Sequence, residues 1–93
     1  MKLLVTYTFP DKEKRDGFLE SCRDYKIEKC CMKEDGCIRY EYEVPEGSDT
    51  MLLLHEEWED PEFQKMHLDT PHMASVKAFK SRYHADSKLE TLE

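Results

Sequence analysis

Two helix starts set ten residues apart constrain this chain more than any other feature. Asp60-Pro61-Glu62 places a capping carboxylate before a proline at the first helical position, and Thr70-Pro71-His72 repeats the arrangement. Proline is tolerated there because its missing N–H would be unpaired in any case. The spacing predicts a short helix, a break near Thr70-Pro71 and a second helix. His67 closes the first helix and His72 opens the second. Two imidazoles therefore flank one break, and a pocket beside them would give them protons to move.

Upstream, the hydrophobic period is two. Leu3, Val5, Tyr7 and Phe9 alternate with Lys2, Thr6 and Thr8, which predicts a first strand over about residues 2–9. Pro10-Asp11 ends it and starts a helix in which Phe18, Leu19, Cys22, Ile27 and Cys30 recur at helical spacing. Gly17 weakens that helix without breaking it. Glu34-Asp35-Gly36 reads as its stop, with Gly36 free to take the left-handed conformation. Ile38, Tyr40, Tyr42 and Val44 then alternate with Arg39, Glu41 and Glu43 in a second strand, and Pro45 to Asp49 is turn chemistry. Met51–Trp58 forms a third strand, expected to pair with the second as a hairpin. Leu52, Leu54, Glu56 and Trp58 share one face, while Met51, Leu53, His55 and Glu57 share the other. Apolar residues on both faces predict that this strand is covered on both sides. After the broken helix, whose second half carries a Met73, Val76, Phe79, Tyr83 stripe, residues 84–93 suggest a short final strand or tail.

The resulting order, β-α-β-β-α-β in one domain spanning 1–93, describes a ferredoxin-like α+β sandwich: one antiparallel sheet with helices on one face. The other sheet face needs a cover. In so small a chain a second copy would supply it, giving a homodimer in which two sheets face each other across a two-fold axis.

Composition narrows the function classes. The net charge is −7, and an acidic surface disfavours nucleic acid and anionic membranes. No apolar run exceeds about five residues, against the roughly 20 needed to span a bilayer. The N-terminal MKLLVTYTF is too short and too soon followed by charge to be a signal peptide, so a cytoplasmic protein is expected. Cys22, Cys30, Cys31 and Cys37 form no C-x-x-C pair, so no zinc ribbon or thioredoxin-type site is indicated and no metal is expected. Cys22 and Cys30 read as small apolar residues on a buried helix face.

Three segments carry a resemblance to a known family: Glu34-Asp35-Gly36-Cys37-Ile38-Arg39-Tyr40-Glu41, Glu56-Glu57-Trp58-Glu59-Asp60, and His67-Leu68-Asp69-Thr70-Pro71-His72-Met73. In this order and spacing they resemble the antibiotic biosynthesis monooxygenase domain, which includes small quinol monooxygenases. The resemblance implies a dimeric α+β barrel and oxidation of quinol-like or phenolic small molecules by O₂ with no metal, flavin or other cofactor. In that chemistry a protein base takes a phenolic proton, and the electron-rich anion itself reduces O₂ inside a dry pocket. His67 and His72 fall on the family's two histidine positions, as candidate base or substrate-orienting group. Each could instead simply brace the helix break. Trp58, Tyr40, Glu56 and Tyr7 are the candidate substrate-binding residues, weighed against plain core roles. The first strand offers Thr6, Tyr7 and Thr8, and the last helix Lys77 and Lys80, which argues against haem degradation. Two alternatives stay open: a non-oxidative isomerase of a small signalling molecule, and a dimeric ligand-binding or stress-response protein without chemistry.

Overall fold

Strand β1 (Lys2–Thr8) lies inside the sheet, flanked by β3 (Met51–Trp58) and β4 (Asp86–Thr91), and β2 (Cys37–Glu43) completes the order β2-β3-β1-β4. This computed structural model describes residues 1–92. Every pairing is antiparallel, with Val5 opposite both Leu54 and Leu89. The order and the all-antiparallel sheet are those of the ferredoxin-like α+β class read from the sequence.

The period-two strands bury one face. Leu3, Val5 and Tyr7 of β1 and Leu52, Leu54, Glu56 and Trp58 of β3 are all buried, and they meet Phe18, Val76 and Phe79 from the helices. On the opposite face Met51, Leu53, His55 and Glu57 are half-exposed within the single chain. The covering expected there is therefore not supplied by the chain's own helices. In β2 the alternation fails at Ile38, which is exposed. A bulge between Cys37 and Arg39 sets an extra residue against β3 and throws Ile38 out of phase with Tyr40 and Tyr42. Val44 lies past the strand end and is exposed too.

The first helix also departs from expectation. It is two helices, α1 (Lys12–Asp24) and α2 (Ile27–Met32), separated at Tyr25-Lys26, where Lys26 is left-handed with φ 55°. Asp11 caps α1 by accepting the Lys14 N–H at 2.8 Å. The break changes which cysteine is inside. At 3.6 residues per turn, residues 22 and 31 of one unbroken helix would stand on opposite sides. With the break, Cys22 and Cys31 are both buried, while Cys30 is only half-buried. Gly36 ends the segment as expected, with φ +76°.

The C-terminal helices break where the prolines predict: α3 is Pro61–His67 and α4 is Pro71–Arg82. Asp60 caps α3 by accepting the Glu62 N–H at 3.0 Å. Thr70 differs from the capping role read for it. Its side chain makes no cap to α4 and instead donates to the His67 carbonyl at 2.8 Å, which tightens the turn between the helices. Gly17 does more than weaken α1: an added Cβ would stand 2.6 Å from the Tyr83 ring, so the missing side chain lets α1 and α4 approach. Strand β4 is exposed along its whole length and is held by its ladder to β1, which explains its weak hydrophobic pattern.

Candidate active site

The break between α3 and α4 turns His67 inward. Its side chain is buried, packed against the Trp58 ring at 4.8 Å between centroids and against Tyr40 at 5.5 Å. Nδ1 lies 2.7 Å from Glu34 Oε2, and Nε2 lies 4.0 Å from Glu56 Oε1. Because a carboxylate only accepts, the Nδ1 contact is an N–H donated to Glu34, and the neutral ring then carries its lone pair on Nε2, on the Glu56 side. Trp58 Nε1–H donates to the same Glu56 oxygen at 3.0 Å. His72 Nε2 meets Glu34 Oε2 at 2.7 Å from the other side. A continuous chain of polar contacts therefore runs His72–Glu34–His67–Glu56–Trp58, anchored on both helices at the break, on β3 and on the turn before β2.

A cavity of about 300 Å³ opens between the inner sheet face and the two C-terminal helices. Its floor is Val5, Tyr7, Tyr40, Leu54 and Glu56, and His67, Met73 and Val76 close it from the helix side. Leu68, Lys77, Ser87 and Leu89 form its exposed rim, with Lys80 beside them. The Lys80 ammonium donates to Ser87 Oγ at 2.7 Å and stands 5.9 Å over the Tyr7 ring. Walls that are mostly apolar around a few convergent polar groups are what a small-molecule site needs.

Of the six residues singled out from the sequence, four reach this cavity: His67, Tyr40, Glu56 and Tyr7. Trp58 is fully buried behind His67 and Glu56 and acts on the site through them. His72 sits at the opposite end of the contact chain, beyond Glu34. Burial raises the Glu56 carboxyl from its ordinary value, opposed by the Trp58 hydrogen bond and by His67. Burial likewise raises the Tyr7 and Tyr40 phenols, which stay protonated at neutral pH. Cys31 packs beside Tyr40 and Glu34, and burial raises its thiol so far that it is neutral.

The raised Glu56 carboxyl has a testable consequence. A carboxyl whose folded pKa exceeds its unfolded value binds more protons when folded, so stability falls as pH rises from about 4.5 through the folded value. Glu56→Gln keeps the acceptor for Trp58 and removes the ionisation. Melting curves should therefore show the wild type losing stability relative to Glu56→Gln between pH 4.5 and 7.5. A constant difference across that range would mean that Glu56 ionises as freely folded as unfolded.

Comparison with known proteins agrees with the three quoted segments. The sequence profile of the antibiotic biosynthesis monooxygenases matches residues 1–78. The chain belongs to the antibiotic biosynthesis monooxygenase family. A conserved protein of unknown function from Bacteroides thetaiotaomicron, suggested to be an oxidoreductase, superposes with a TM-score of 0.84 at 25% identity, over 96% of this chain and 90% of its own. A candidate antibiotic biosynthesis monooxygenase from Deinococcus radiodurans gives 0.83 at 18% identity, over 100% and 91%. Another from Nitrosomonas europaea gives 0.79 at 16% identity, over 98% and 97%. No curated protein matches the chain by sequence.

In this antibiotic biosynthesis monooxygenase domain the residue that sequence reasoning passed over is Glu34. It was legible as part of a helix stop and as the first residue of a family segment, with no role at the site, yet its carboxylate joins both histidines. Cys31 was missed as well, because an unbroken helix would have faced it away from Cys22. Among the described residues no helix is long and apolar enough to cross a membrane.

Proposed function

We propose that this protein is a cofactor-independent monooxygenase that oxidises a quinol-like or phenolic small molecule with O₂. The observation that carries the reading is the pairing of the His67 Nε2 lone pair with the Glu56 carboxyl at 4.0 Å in the wall of an aromatic-lined cavity. A hydroxyl oxygen bonded to both groups at about 2.8 Å each would bridge that gap at roughly a right angle. His67 takes the phenolic proton, and Glu34 on its far nitrogen steadies the imidazolium that forms, as a carboxylate does behind any base of this kind. In its protonated form Glu56 donates a hydrogen bond to the developing oxyanion, and burial shifts the carboxyl in that direction. Tyr7 and Tyr40 flank the ring. The electrons for O₂ come from the substrate anion: one oxygen atom enters the substrate and the other leaves as water. Family membership and the oxidoreductase suggestion attached to the Bacteroides neighbour support the reaction class.

In the working form, a second copy covers the half-exposed outer face of β3 and makes the two-fold dimer. Lys77 and Lys80 at the rim favour a substrate whose aromatic ring carries an anionic group.

The direct test is O₂ consumption with hydroquinone and with a carboxylated hydroquinone, run beside strictly anaerobic controls. Uptake that tracks product supports the oxygenase. Product formed equally without O₂ would favour an isomerase using the same base. For the rim, a Lys77→Glu, Lys80→Glu double variant should raise KM for the carboxylated substrate about tenfold, with kcat and the neutral substrate little changed. Equal losses on both substrates would remove the lysines from recognition.

A further inference from the structure

The Glu34 end of the contact chain holds more than an orienting carboxylate. Cys31, Glu34, His67 and His72 each present one donor atom, and the four lie within 4.8 Å of one another. His67 Nδ1 and His72 Nε2 converge on the same Glu34 oxygen at 2.7 Å each. The ligands come from two tight turns. Cys31 and Glu34 are joined by the Glu34 N–H donating to the Cys31 carbonyl at 3.0 Å, and His67 and His72 flank the turn that Thr70 locks at 2.8 Å.

From this convergence we propose that the protein binds one divalent transition cation of the zinc class through Cys31, Glu34, His67 and His72. The donor chemistry selects that class. Imidazole and thiolate suit zinc and its neighbours, whereas magnesium and calcium take all-oxygen sets. The charges also balance: one thiolate and one carboxylate neutralise the cation, and two neutral imidazoles complete a tetrahedron, so no net charge enters a largely buried place. With zinc bonds of about 2.0–2.3 Å, tetrahedral donors stand about 3.3–3.8 Å apart. The short Glu34 contacts would open and the widest span would close by about an ångström, within reach of side-chain rotation. On binding, the thiol proton leaves to solvent, and each imidazole carries its one proton on the nitrogen facing away from the metal. For His67 that nitrogen is Nε2, so the metal-bound protein shows the cavity a donor instead of a base. Four protein ligands leave no open position, and the ion clamps the α2–β2 turn to the α3–α4 turn without activating water. The cation lies on the Nδ1 side of His67 and the cavity on the Nε2 side, so this proposal does not rest on the oxygenase reading.

The test is a Co²⁺ titration of the full chain after chelator treatment, read by absorption. One equivalent should bind with intense visible tetrahedral bands and a near-ultraviolet sulfur-to-cobalt band, and Zn²⁺ should displace it. Zn²⁺ at about 100 times its Kd should raise Tm by about 10 °C or more, reversibly with chelator. Cys31→Ser should lose the sulfur band, and His72→Ala should weaken binding by about tenfold or more. Should either variant fail to fold, X-ray absorption of the wild-type zinc form decides: it should show one sulfur at about 2.3 Å beside nitrogen and oxygen at about 2.0 Å. No bound cobalt at excess metal, a weak octahedral spectrum without sulfur, or a sulfur band unchanged in Cys31→Ser would overturn the assignment.

Discussion

Replacing His67 with alanine is expected to lower kcat/KM for hydroquinone oxidation by about 10²–10⁴-fold, the range by which a positioned base accelerates proton transfer. Two of the other polar groups that line the cavity cannot take over its task. Tyr7 and Tyr40 are held protonated by burial, so neither is a ready proton acceptor at pH 7. The substitution also removes a buried ring packed on Trp58 and takes one of the two imidazoles from Glu34, which should cost about 2–4 kcal/mol of stability. His67→Gln separates the two effects, because its amide can still donate toward Glu34 while it cannot act as a base. O₂ uptake should fall as far in the glutamine variant as in the alanine variant, with a smaller drop in Tm. Uptake that survives in a folded His67→Gln protein would take His67 out of the mechanism.

Gly36→Ala is the expected stability counterpart. The residue sits at φ +76°, which costs an L side chain about 1–2 kcal/mol. A Cβ there would also run into the Phe63 ring on α3, adding about 1–3 kcal/mol of overpacking. The sum of about 2–5 kcal/mol is a large share of the 5–15 kcal/mol that holds a typical domain together. Chemical denaturation should show this loss as a lower midpoint with an unchanged slope. The damage would reach the site as well, since Gly36 lies two residues from Glu34 and Phe63 lies on the helix that ends in His67. A change below about 1 kcal/mol would mean that α3 moves aside freely and does not fix His67.

The elements were legible where one local rule acted alone. Proline after a capping residue set both starts of the broken C-terminal helix, and period two set β1 and β3, because backbone geometry at those positions depends on immediate neighbours. The reading slipped where a break changed the phase. Lys26 in the left-handed region cut the first helix and exchanged Cys30 for Cys31 in the core, and the bulge at Ile38 pushed that side chain outward. Nothing in either stretch marks these departures, since packing against the sheet selects them. Strand β4 gave little pattern because it buries neither face and is held chiefly by backbone pairing to β1.

The candidate site divided in the same way. His67, Glu56, Tyr40 and Tyr7 could be named from face and motif, since alternation along a strand and position at a helix end already fix the direction of a side chain. Glu34 could not. It is 33 residues from His67 and 38 from His72, and only folding the α2–β2 turn against the α3–α4 turn brings one carboxylate between two imidazoles. By itself the sequence determined the strands, the helix break and the inward faces, because these follow from short-range sterics and from which residues avoid water. The tertiary structure alone decided that His67 is a ring oriented by Glu34 over a cavity, and that Cys31 joins the cluster, because contacts between distant segments are set by how whole elements pack.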